Sequence, residues 1–305
     1  MIFRGLLLVF SLFLGRPAWG ASILVLQGDL SDFGRKFFSG FSSVTTESLK
    51  AFQYDASKDR AILEQIKTLR PDLVLTIGKA PLEAMVSMLP STPFLVADYY
   101  SPALAKKANV VLLEQSPPTD AAIDLMLKFA PGVKNLGTIY NPQYSHDVFN
   151  PLVKSATKKM IRVASIKASS PTDVASYVSA FQGKIDAYFA IRDLSTSSPA
   201  ATDAIFSFSQ KNAVPVVSLD PTHQNRPALV TLALDPIQLG VQAWEIAKIV
   251  LREKKIPQMP SVLDPSELSL TVSMKAITLL PTGLSTLPKF LQEATDQRYI
   301  VRVTP

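Results

Sequence analysis

The sequence predicts an α/β fold of two doubly wound parallel-sheet lobes joined by a hinge. Short runs rich in β-branched and aliphatic residues recur at 22–26, 72–77, 93–97, 136–140, 186–191, 214–219 and 228–234. Strands that are apolar throughout are buried on both faces, as in parallel sheets. Helical patterns separate the runs, and strand–helix alternation builds such sheets. The alternation occurs twice, from Ser22 to about Leu113 and from Leu136 to Leu234. In open sheets of this kind ligands lie beyond the carboxyl ends of the strands, so function is sought in the polar residues that close each run.

Taken in order, the chain begins with Arg4, an apolar stretch at 6–14 and then Pro17-Ala18-Trp19-Gly20. A charged start, a short apolar run and a small–x–small site read as a signal peptide over 1–20, cut between Gly20 and Ala21. The stretch is too short to span a bilayer, which takes about 18 or more apolar residues. Ser57 is placed to cap a helix with Ile62, Ile66 and Leu69 on one face, closed by Pro71. Pro117-Pro118 within 114–119 reads as a stiff connection between lobes. Thr119 or Asp120 then caps 121–130, where Ile123, Met126, Leu127 and Ala130 share a stripe. Asp235-Pro236 is a cap followed by proline at the first helical position. Leu239, Ala243, Ile246 and Val250 mark the buried face of the long helix that follows. Pro257, Pro260 and Pro265 precede a strand-like 268–272, a short helical pattern at 287–294 and a polar end. The expected division is 21–118 plus 235–262 for the N-terminal lobe and 119–234 plus 263–305 for the C-terminal lobe.

Composition narrows the function classes. The chain has no cysteine, which excludes a disulfide scaffold, a thiol nucleophile and a thiolate metal site. It also lacks the cysteine a lipid-anchored exported protein would carry at its cleavage site. The expectation is a periplasmic protein, secreted through a cleaved signal peptide and not lipid-anchored. Formal charge is +6, falling to +4 once Arg4 and Arg16 leave, and the basic residues are scattered. No basic stripe or interleaved aromatics suggest nucleic acid.

Catalytic motifs are largely missing. The two histidines, His146 and His223, stand far apart in polar, loop-like contexts. No G-x-S-x-G elbow, no paired-histidine metal spacing and no glycine-rich phosphate loop occurs. Gly78-Lys79, after the run 72–77, is the nearest thing to an anion loop. The expectation is a non-enzyme with no catalytic residues, no metal and no cofactor.

What remains is a series of polar or aromatic strand ends, and these are the candidate ligand contacts. They are Asp29, Gly78 with Lys79, Asp98 with Tyr99, Asn141 with Tyr144 and Ser145, Arg192 with Asp193, Ser218 with Asp220, and Asp235. Any single Asp or Ser after a strand also serves as a helix cap. Together they put donors, acceptors and rings at one edge of two sheets, which suits an organic ligand held between lobes. Arg192 is singled out because its guanidinium fork matches a carboxylate; an ion pair with Asp193, itself a helix cap, is the structural alternative.

Several segments resemble the type I periplasmic binding proteins, in particular the ABC-transporter substrate-binding group with tryptophan-binding members. Residues 72–78 resemble that family's third strand and ligand-side turn, and 131–142 its passage into the second lobe. The best segment is 235–251, where Asp235, Leu239-Gly240, Gln242-Ala243 and Ala247 fall at family-like positions. Ser273-Met274-Lys275-Ala276 and Leu287-Pro288 echo its C-terminal end. Asp98-Tyr99-Tyr100-Ser101-Pro102 stands where the family has Asp-Pro-Val, and Lys106-Lys107-Ala108-Asn109 replaces its Gly-Gly-Asn turn. These departures fall on pocket-facing turns.

The resemblance implies a monomeric solute-binding protein that captures a small organic ligand, amino-acid-like or aromatic, for an ABC permease in the inner membrane. A sensor feeding a membrane signalling partner is the alternative, and an exported hydrolase a more distant one.

Overall fold

Alternate side chains of a strand point to opposite faces, and along β1 (Ser22–Gln27) both sets are buried: Ile23 and Val25 on one side, Leu24 and Leu26 on the other. A computed structural model describes residues 21–54, 66, 68–98, 106–193 and 195–305; the signal peptide and the Ser57 cap lie outside them. β1 pairs in parallel with β2 (Ser48–Gln53) and β3 (Leu73–Ile77). Then follow β4 (Phe94–Asp98), β5 (Val110–Glu114) and, from much later in the chain, β11 (Val262–Leu263), all parallel. The sheet order is β11-β5-β4-β3-β1-β2.

One face of this sheet is covered by α1 (Asp32–Val44) and α7 (Pro236–Glu253), through Phe33, Phe37, Phe41, Leu239, Ala243 and Trp244. The other face meets Ile66 and, from α2 (Lys79–Met85), Leu82 and Met85. Ile66 and Leu69 have helical backbone, as their spacing predicts.

The second sheet has the order β13-β12-β10-β9-β8-β6-β7. Its strands are β6 (Asn135–Tyr140), β7 (Arg162–Lys167), β8 (Ala187–Ala190), β9 (Val216–Ser218), β10 (Val230–Leu234), β12 (Leu268–Ser273) and β13 (Ile300–Thr304). All pairings are parallel except β10 with β12. α3 (Thr119–Phe129), α4 (Pro142–Lys158) and α8 (Gly283–Asp296) cover one face. α5 (Pro171–Ser179) and α6 (Pro199–Asn212) cover the other. The α/β two-lobe architecture expected from the sequence is therefore the one observed.

Three expectations need correction. Neither Thr119 nor Asp120 caps α3: Pro118 occupies the cap with no side-chain bond, and the Thr119 hydroxyl lies 3.4 Å from that of Ser155. The polar end is the strand β13, paired in parallel with β12. The loop contexts of the histidines give way to an exposed position on α4 for His146 and a buried one for His223 in the 3-10 helix Pro221–Asn225.

The chain passes between sheets three times, after β5, after β10 and after β11, and each passage leaves from a carboxyl-terminal strand end. Placing the three connections on one edge is what brings the carboxyl ends of both sheets to the same cleft.

Candidate functional site

On the first sheet, registers align Gln27 with Ile77, Ile77 with Ala97, and Asp98 with Glu114, so Asp29, Gly78 and Asp98 close neighbouring strands. Asp29 is half-buried, and its Oδ1 accepts from Ser31 N–H at 2.9 Å. This turn leads into α1, whose cap is Ser31, and Gly34 packs hard against it: a Cβ there would lie 2.1 Å from Asp29 O. Gly78 takes φ +92°, a conformation few side chains tolerate, and donates its N–H to Ala97 O at 2.8 Å. Asp98 is half-buried and its carbonyl accepts from Gln115 N–H at 2.9 Å. Lys79 opens α2 and Tyr144 sits in the first turns of α4, each described by backbone position; Tyr99 lies outside the described residues.

On the second sheet the strand ends turn inward. Asp193 is 2% exposed, and its carboxylate accepts from Asn141 N–H at 2.7 Å, from Ser195 N–H at 2.7 Å and from the Ser145 hydroxyl. A buried carboxylate needs such donors, because taking it out of water unpaired is costly. Asn141 caps α4, its Oδ1 accepting from Gln143 N–H at 3.0 Å, and its amide reaches Ser195 Oγ at 3.3 Å. Asp220 accepts from Thr222 N–H at 2.9 Å, from the Thr222 hydroxyl at 2.7 Å and from the Ser197 hydroxyl. Asn141, Ser145, Asp193, Ser218 and Asp220 are all buried, with their polar atoms bonded inside the lobe. The helix-capping and ion-pair alternative for Asp193 is not what forms: α6 is capped by Ser198, and Asp193 faces Asn141, Ser145 and Ser195.

A serine and a histidine do meet here. Ser218 Oγ lies 2.9 Å from His223 Nδ1, but it is fully buried and also accepts from Asp220 N–H at 2.9 Å. His223 Nε2 faces the Thr202 hydroxyl at 3.4 Å, and Phe206 packs edge-on against the ring. No carboxylate hydrogen-bonds the imidazole in these contacts, so they do not form the nucleophile–base–orienter chain of a hydrolase.

Burial holds the His223 pKa below the usual histidine value; nearby Asp220 opposes this and Arg226 adds to it. The unfolded chain then takes up a proton before the folded one. Stability is full above the unfolded value near ~6.5 and declines as pH falls from there toward the folded pKa. Melting temperatures recorded from pH 7.5 to 5 should fall, and the fall should be shallower in His223→Gln. Identical slopes for the two proteins would rule His223 out as the source.

Arg192 is different from its neighbours. Ile191 and Asp193 on either side are 1% and 2% exposed, which pins the backbone, while Arg192 is half-buried. Its guanidinium carbon lies 5.5 Å from the ring centroid of Phe33, on α1 of the other lobe. That is cation–π distance. The contact shows that the two strand edges face each other. Asp235 completes the set: half-buried at the second crossing, it caps α7 by accepting from Ile237 N–H at 2.8 Å. Phe33, Ser195, Ser197 and Thr202 were not foreseen from the sequence; the serine-rich stretch after Asp193 was the available signal for an inward-turned loop.

Tyr140, the last residue of β6, is 5% exposed and stacks on Phe149 with centroids 3.9 Å apart. Among the described residues no group of three or more His, Cys, Asp or Glu is placed to hold a metal ion. No helix among them is long and apolar enough to cross a membrane.

The model of the family described as ABC transporter substrate binding protein matches residues 43–286. A tyrosine-binding protein of Clostridioides difficile (strain R20291) is 24% identical over 228 residues, 71% of this chain. The chain spans about 65% of the length of that relative. Among solved structures, the ligand-free, open form of a substrate binding protein with adhesive properties from Clostridium difficile aligns at TM-score 0.70 and 17% identity, covering 93% of this chain and 100% of that one. An ABC domain in complex with L-Trp from Streptococcus pneumonia aligns at TM-score 0.62 and 19% identity, covering 88% and 98%. At these identities the structural matches speak for the fold.

Proposed function

The chain belongs to the ABC transporter substrate binding protein family, and on that premise we propose that it captures a small amino-acid-like solute between its lobes and delivers it to a membrane permease. The observation that carries this reading is the guanidinium of half-buried Arg192, held against Phe33 at the edge shared by the two sheets. A fork of that kind takes a carboxylate through two parallel hydrogen bonds. Asp29 and Asp235 stand at the same edge, each using Oδ1 for a backbone amide, and offer negative charge to an ammonium group.

Residues 21–118 with 235–263 act as one lobe and 119–234 with 264–305 as the other, the boundary falling one residue past the expected 262 because Leu263 pairs with Leu113 on the first sheet, and the three crossings act as the hinge. Ligand contacts from both lobes favour the closed state. Asn141, Ser145, Asp193, Ser218 and Asp220 shape the cleft wall from inside the lobe, while Gly78 and Lys79 form its turn on the first lobe. The protein binds solute without transforming it, works as a monomer, and is exported to the periplasm by a signal peptide cleaved after Gly20.

The curated relative binds tyrosine by its name and one structural neighbour holds L-Trp, so aromatic amino acids are the first probes. A thermal-shift screen of the mature chain against L-tyrosine, L-tryptophan, purines and sugars tests the reading. A ligand at 100 times its dissociation constant adds about 2.7 kcal/mol of stability. Stabilisation by sugars with none by amino acids would overturn the assignment of solute class.

A further inference from the structure

We propose that Phe33 is a positioning residue for ligand recognition, holding the Arg192 guanidinium across the cleft with its hydrogen-bonding edge open. This rests on the reading of Arg192 as the group that meets a ligand carboxylate.

Both partners of the contact are rigidly mounted. Phe33 is 8% exposed and packs in the first lobe's core with Phe37 and Leu239. The Asp29–Ser31 turn and the tight Gly34 fix where α1 starts, and so where the ring lies. Arg192 is held from the other lobe between two buried residues, one of them the triply bonded Asp193.

A guanidinium has two separate chemistries: its face attracts an aromatic ring, and its edge carries five N–H donors. A ring against that face would leave the donors available. It also removes rotamer freedom that a long side chain would otherwise lose on binding. Because the ring and the cation come from different lobes, the contact has a second consequence: it biases the empty protein toward closure.

The test uses the full mature chain with Phe33→Leu, Phe33→Trp, Arg192→Ala and the double variant Phe33→Leu/Arg192→Ala. Calorimetry reads L-tyrosine against tyramine, which lacks the carboxylate, and solution scattering reads the radius of gyration without ligand. Phe33→Leu should weaken L-tyrosine binding about three- to tenfold, the size of a partly desolvated cation–π contact, and tyramine binding by a smaller factor, through the lost bias toward closure alone. Phe33→Trp should restore affinity, and Phe33→Leu should add nothing once Arg192 is alanine. In the empty protein the Phe33→Leu, Arg192→Ala and double variants should open the lobes equally.

Additive losses in the double variant, or a Phe33→Leu protein with wild-type affinity, would overturn the proposal. So would an unchanged radius of gyration, a readout that needs no ligand. Should Arg192→Ala bind L-tyrosine normally while all three variants open the empty protein, the reading of Arg192 as the carboxylate group fails. Phe33 would then stand only as an interlobe contact, and the positioning role is overturned with it.

Discussion

Gly240→Ala, the smallest possible side-chain addition, should lower the unfolding free energy by about 3 kcal/mol or more. Helix propensity alone argues the opposite sign, since alanine is favoured over glycine inside a helix by about 1 kcal/mol. The crossing of α1 and α7 decides between them. A Cβ at Gly240 would lie 2.2 Å from Phe37 O and 2.7 Å from Phe41 N, and one at Gly40 would lie 2.1 Å from Ile237 O. These are backbone atoms on both sides, so no rotamer change relieves the clash. The helices must part, opening the core in which Phe37, Phe41, Ala243 and Trp244 are packed. Phe41 meets Trp244 edge-on with centroids 5.9 Å apart, a geometry that separation would spoil. Against a total stability of about 5–15 kcal/mol the loss is a large share. Urea unfolding of Gly240→Ala measures it, with Gly132→Ala as control, since a Cβ at Gly132 meets nothing within 4 Å. A gain in stability at Gly240 would show that the two helices are free to separate. The same crossing ties the fold to the site, because α1 carries Phe33 near its start and α7 is capped by Asp235.

The fold was legible where burial is two-sided. Leu73–Ile77 and Ala187–Ala190 are buried at every position, and their sequences read as strands without ambiguity. β2 and β7, at the sheet edges, went unseen because SLKAFQ and RVASIK are half polar without a clean alternation, and no residue in either is fully buried. β5 is apolar only over Val110–Leu113 before Glu114, and so short a run gives too little periodicity to separate strand from helix.

The site was legible only as a set of positions. The sequence placed Asp193 and Asp220 at strand ends, and beyond the serine-rich stretch after Asp193 it carries no sign of which way a carboxylate turns. Asp193 turns inward because Asn141, Ser145 and Ser195 supply three donors, and Asp220 because Ser197 and Thr222 do the same. Phe33 could not be read at all, since its partner Arg192 belongs to the other lobe and the pairing exists only once both lobes have folded.

Arg192→Ala should weaken binding of a carboxylate-bearing solute by about 2–5 kcal/mol, the cost of removing one partner of a buried charge-assisted pair. That is roughly 30- to 4,000-fold in dissociation constant. The stability of the empty protein should change far less. Arg192 is half-buried, and its interaction across the cleft is the Phe33 ring, worth about 0.5–1 kcal/mol at such a site. The contrast between a large effect on binding and a small one on folding separates a recognition residue from a structural one. Arg192→Lys sharpens the test, because it keeps the charge and loses the planar fork. Its affinity should fall between wild type and alanine, with little gain over alanine if bidentate geometry carries most of the energy. Calorimetry with a ligand from the thermal-shift screen gives all three values. An Arg192→Ala protein that stays folded and binds that ligand as tightly as wild type would mean an uncharged group meets this edge. The solute would then be sought among molecules without a carboxylate, with Asp29 and Asp235 left as the charged contacts in the cleft.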